Sequence, residues 1–68
     1  MSKIKINTEI IKLDAFLKWA AIVSSGSEAK IYIQDGLVKV NTEICLQRGK
    51  KLKVGDIVSF EDSDFEIV

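Results

Sequence analysis

The chain has no histidine and no proline, and only one cysteine, one tryptophan and one tyrosine. Each absence removes a class of function. Without histidine, the usual proton-transfer and metal-binding side chain is missing. A single cysteine, Cys45, can form neither an internal disulfide nor a cysteine-rich zinc site. It has no imidazole to activate it and lies in a strand pattern, so it reads as a buried structural thiol and not a nucleophile. A reducing, cytoplasmic setting is the simple inference. Glycine-rich phosphate loops of the P-loop or dinucleotide type are absent. Glu61, Asp62 and Asp64 do not match a calcium-loop spacing. The expectation is a binding module with no enzyme activity, no cofactor and no bound metal. The longest uncharged stretch, Trp19 to Ser27, is far shorter than the ~20 apolar residues of a membrane span. The opening residues, MSKIKINTEI, are charged and alternating, unlike a signal peptide.

What is present suits one small globular domain over residues 1–68: 47% apolar and 29% charged residues, with a formal net charge of zero. The zero conceals a segregation. All ten Lys and Arg lie in residues 1–60 against six acids, giving +4 there, while residues 61–68 hold four acids and no base. A mildly basic body with an acidic tail points weakly to a polyanionic partner, and a plainly solvated surface accounts for it as well.

Periodicity sets the elements. Lys3-Ile4-Lys5-Ile6 alternates as a half-buried strand does. Leu13, Phe16, Leu17, Ala20 and Val23 share one helical face, which predicts a helix over 13–23 with Asp14 in its first turn. Trp19 points off that face and is expected to pack under the hinge or against a sheet. Ser25 and Glu28 form a capping-box pattern, with Glu28 reaching back to the Ser25 N–H. A second helix follows to about Asp35, burying Ala29, Tyr32 and Ile33 and stopping at Gly36. Short strands are expected at 37–40, 43–46, 57–60 and 65–68, the last beside the N-terminal one. Residues 47–51 read as a basic loop and 53–56 as a turn. The fold class is α+β: two short helices packed on a small, mostly antiparallel sheet.

The residues with binding chemistry are Lys12, Lys18, Ser25, Gly26, Ser27, Lys30, Gln34, Lys39, Asn41, Arg48, Lys50 and Lys51. The Ser25-Gly26-Ser27 hinge offers N–H groups, hydroxyls and the positive end of a helix, the chemistry of a phosphate site. Lys30 and Gln34 stand side by side further along. Lys39 alternates with Val38 and Val40 and faces the open side of its sheet. Arg48 to Lys51 is the densest basic cluster.

In order and spacing, these residues resemble the RNA-binding domain named after ribosomal small-subunit protein four, the S-four domain, whose core is the alpha-L motif. Lys12-Leu13-Asp14 and Leu17 match its opening. Ser25, Ala29, Ile33 and Gly36 match its second helix, Val38-Lys39-Val40-Asn41 its strand, and Gly55-Asp56 its later turn. The likeness covers about 12–60 and is greatest to small stand-alone bacterial members, which carry a Lys-Trp-Ala segment and a Ser-Gly-x-Glu-Ala-Lys hinge. Three positions depart from the pattern. Gly26 stands in place of an Arg that contacts phosphate, Ala21 in place of a helix-end Gly, and Thr42 in place of a turn Gly. Lys18, Lys30 and the Arg48–Lys51 loop are left to supply the missing cation. The resemblance implies a non-catalytic binder of structured RNA, rRNA or tRNA-like, and the chain is expected to be a monomer with a ribosome-associated partner. An adaptor that keeps this fold to bind a protein is the alternative, motivated by Ile22 and Ile31 on open faces. A DNA reader would carry more Arg, Asn and Gln on its recognition helix.

Overall fold

The computed structural model describes all of residues 1–68. Nine elements follow in order: β1 (Ser2–Ile4), β2 (Ile10–Lys12), α1 (Leu13–Trp19), α2 (Gly26–Gln34), β3 (Val38–Val40), β4 (Glu43–Ile44), β5 (Lys51–Lys53), β6 (Ile57–Phe60) and β7 (Ser63–Ile67). Five strands make one sheet in the order β1-β7-β6-β3-β4, and β2 with β5 makes a separate two-stranded ribbon. All pairs are antiparallel except β1 with β7, which run parallel. This is the expected α+β fold, with the last strand beside the first.

The core is a single cluster built from every layer. Leu13, Phe16 and Leu17 of α1, Ala29 and Ile33 of α2, Val38 and Val40 of β3, Leu52 of β5, Val58 of β6 and Ile67 of β7 are buried together with Ile6 and Val23. Alternation in β3 buries Val38 and Val40 and turns Lys39 outward. Lys39 pairs with Ile44 on one side and Ser59 on the other, and Ser59 pairs with Asp64, so these four form a row across the sheet face opposite the helices.

α1 is shorter than its periodicity predicts, ending at Trp19 instead of Val23. Its last turn closes with Ala21 N–H donating to Lys18 O and Ile22 N–H to Leu17 O, both at 3.0 Å. That is the Schellman arrangement, with Ala21 at the left-handed position, φ 59°. Val23 still reaches the core, carried there by the turn, and Ile22 packs half-buried against it. α2 ends the same way: Gly36 N–H donates to Ile33 O and Leu37 N–H to Tyr32 O, with Gly36 at φ 76°.

Several expectations are corrected. Residues 51–53 are a strand, not part of a loop and turn. Lys51 and Lys53 alternate with buried Leu52, and β5 pairs with β2, whose residues Ile10 to Lys12 are ambiguous by pattern. Cys45 is only half-buried and lies just past β4. Trp19 is 52% exposed; its Nε1–H donates to Lys5 O at 2.7 Å, tying the end of α1 to the chain after β1. Tyr32 is half-buried, its ring 5.0 Å from that of Phe60.

Candidate nucleic-acid interface

The start of α1 gathers half of the ten basic residues. α1 has no side-chain cap at Lys12. Its first N–H groups are taken instead by the β4–β5 connection: Leu13 N–H donates to Lys50 O at 2.9 Å and Asp14 N–H to Arg48 O at 3.1 Å. A helix start needs such acceptors, and here they bring the Arg48–Lys51 segment, far away in sequence, against Lys12. Arg48 Nε stands 3.9 Å from Asp14 Oδ2. Lys18 lies four residues beyond Asp14, on the same side of α1.

The ribbon adds to this cluster. β2–β5 register sets Lys12 opposite Lys51 and Ile10 opposite Lys53. Ile11 and Leu52 form the alternate pair and turn toward the core. Period-two geometry therefore places Lys12, Lys51 and Lys53 on one face, all exposed. Lys53 is the member that sequence reasoning missed. The signal was the alternation Lys51-Leu52-Lys53, legible once it is read as a strand. Its ammonium lies 3.6 Å from Asp56 Oδ1.

The hinge is more self-contained than its composition suggests. Ser25 Oγ accepts from Glu28 N–H at 3.2 Å, as expected. The Glu28 carboxylate accepts from Ser24 N–H at 2.9 Å, one residue earlier than the capping box predicts. A carboxylate thus occupies the positive end of α2. The N–H groups of Gly26 and Ser27 remain open, and a side chain at Gly26 would meet nothing within 4 Å. Gly26, Lys30 and Gln34 recur every four residues along one side of α2, with Gly26 half-buried and Lys30 and Gln34 exposed.

Two candidates sit apart. Lys39 is on the outer sheet face with Ser59 and Asp64. Asn41 is built into the fold: its Nδ2–H donates to Asp56 Oδ1 at 3.1 Å and its Oδ1 accepts from Ile57 N–H at 2.9 Å. Asp56 is the one buried charged residue. Burial pushes its carboxyl up, but the Lys53 N–H, the Asn41 amide and the Lys53 ammonium outweigh that and hold it below the ordinary carboxylate value. The structure thus joins Lys12, Arg48, Lys50 and Lys51 at one helix start, with Lys53 on the same ribbon face, while Lys18 lies apart in the last turn of α1. Gly26, Lys30 and Gln34 stay together as a stripe on the other helix.

A helix pair followed by the Val38–Val40 strand with Asn41 after it and a Gly55-Asp56 turn is the ordered set on which the resemblance rests, and the S4 domain family model matches residues 4–68. The chain belongs to the S4 domain family. The match takes in the β2–β5 ribbon and the closing strand β7, as well as the helices. Among curated proteins, this S4 domain chain is similar to the probable ribosome maturation protein RlbA of Bacillus subtilis (strain 168). The two are 44% identical over 66 residues, 96% of this chain and 93% of that one. No helix of the S4 domain chain is long and apolar enough to cross a membrane.

Proposed function

We propose that this chain is a non-catalytic RNA-binding module that recognises structured RNA, rRNA or a tRNA-like fold, on a ribosome-related particle. The observation that carries the reading is the pairing of Lys12 with Lys51, beside Lys50 and Arg48 at the start of α1. Like charges set directly opposite across a ladder destabilise it. A site that keeps them gains when a polyanion lies over them. Family membership and the ribosome maturation named for the Bacillus subtilis relative favour RNA as that polyanion. Phosphates would lie on the ribbon and the α1 start, and the Gly26–Lys30–Gln34 stripe would follow a neighbouring strand with its open N–H groups.

The test is titration of the chain against a stem-loop RNA, read by fluorescence anisotropy across a salt series. Lys12→Ala with Lys51→Ala is expected to weaken binding and reduce the salt slope by about one for each phosphate left without its cation. Unchanged binding in that variant would remove the reading. An adaptor role is favoured by Ile31 and Leu37, 57% and 50% exposed near the end of α2. Partners that persist in a pull-down after nuclease treatment would support it, and their complete loss would exclude it.

A further inference from the structure

β4 is two residues long and lies at an edge of the five-stranded sheet. After Cys45, whose N–H still donates to Val38 O at 3.0 Å, the chain leaves the sheet and runs to the start of α1, where the Arg48 and Lys50 carbonyls hold it. An open groove of about 470 Å³ lies between, its lining including Asn41, Glu43, Ile44, Leu46, Gln47 and Lys50. That volume is within the ~300–1,000 Å³ of small-ligand sites. Ile44 and Leu46 are each 59% exposed, an apolar surface left facing water. The Ile44 Cγ2 lies 3.8 Å from where a side chain at Gly36 would begin.

We propose that this groove receives an unpaired base of the bound RNA, a base carrying an exocyclic amine. The inference rests on the RNA-binding reading above. Val40, Ile44 and Leu46 give the groove an aliphatic part, the kind of surface that covers the face of an extruded base. The groove also holds a free acceptor, the Glu43 carboxylate, and a free amide on Gln47. Neither side chain makes a hydrogen bond or ion pair within the chain. A carboxylate accepts from the amine of cytosine or adenine and repels the carbonyl oxygens of uracil. Asn41 is occupied with Asp56 and Ile57, so it forms a wall and does not read. Lys50 joins the groove to the Lys12–Lys51 cluster, so a nucleotide whose phosphate lies on those lysines can place its base between Ile44 and Leu46. The ligand chemistry required is a flat apolar group with polar edges on an anionic chain. A peptide adding to this edge would find only the two residues of β4 to pair with.

The experiment compares a hairpin RNA with an adenine loop against a blunt duplex carrying the same number of phosphates, both titrated with the full chain. The hairpin is expected to bind about tenfold tighter, the scale of covering one base. Ile44→Ser with Leu46→Ser abolishes that difference and leaves duplex affinity in place; both sites are exposed, so folding is retained and a thermal melt verifies it. Glu43→Gln narrows the preference for an adenine loop over a uracil loop. Equal affinities for hairpin and duplex in the unaltered chain, or an equal loss on both RNAs in the double variant, would overturn the groove while leaving RNA binding intact. Failure to bind either RNA would overturn both.

Discussion

Ala21 and Thr42 hold the left-handed backbone region at φ 59° and 75°, where a side chain is strained and glycine is not. Ala21 closes α1 in the position Gly36 fills at the end of α2. Thr42 follows Asn41, φ 51°, in the two-residue β3–β4 turn; positive φ at both residues is a type I′ turn, for which Asn-Gly is preferred. Ala21→Gly and Thr42→Gly are each expected to stabilise the fold by about 1 kcal/mol, a rise in melting temperature of about 4–8 °C for a domain of this size. Thermal unfolding by circular dichroism measures both. Asp56 is the residue whose charge matters most to the fold. Its carboxyl is held below its unfolded value, so its contribution is fully present above about pH 4 and is lost as pH falls through the lower, folded value. Asp56→Asn should therefore lower stability at neutral pH and flatten its decline as pH falls below about 4. Urea unfolding across that range gives the comparison.

Among the elements, the β2–β5 ribbon sets stability against binding. Lys51→Glu replaces a like-charged pair with an opposite one, so it is expected to stabilise the fold by about 0.2–1 kcal/mol while weakening RNA affinity. A variant that melts higher and binds worse separates a functional lysine from a structural one. The same ribbon shows where legibility in the sequence ends. α2 could be read almost to the residue, because Ser25, Glu28 and Gly36 signal its ends through local chemistry. The buried face of α1 was equally plain, but its end was not: Val23 keeps the helical spacing while Ala21, with no glycine to announce it, turns the chain. The ribbon escaped notice because three-residue strands gain meaning only from partners some forty residues away. The basic site was half legible for the same reason. Its cations were all visible except Lys53, but their meeting at the start of α1 depends on two backbone hydrogen bonds, from Leu13 and Asp14 N–H to the Lys50 and Arg48 carbonyls, that no local pattern specifies. The groove beside β4, closed by that connection, was not legible at all.

For the whole molecule, one shared core leaves little redundancy. Ile67 in the last strand is fully buried, and the cluster it belongs to draws on both helices and the ribbon. Ile67→Ala is expected to cost about 2–5 kcal/mol, against a total of about 3–10 kcal/mol for a chain of this length. Chemical denaturation would then find a large unfolded fraction before denaturant is added. Zero net charge does not make binding insensitive to salt, because the five cations near the start of α1 act locally. If each of the five neutralises a phosphate, the slope of log affinity against log salt is about −4 or shallower. The tie between the Trp19 indole and Lys5 O has a practical use. Trp19 is the sole tryptophan, it is exposed, and it sits at the end of the helix whose start holds the basic cluster. Its ultraviolet emission is therefore an internal dye. It marks the joining of the first strand to α1 as the chain folds, and it reports on anything that settles over that end of the helix, with no label attached.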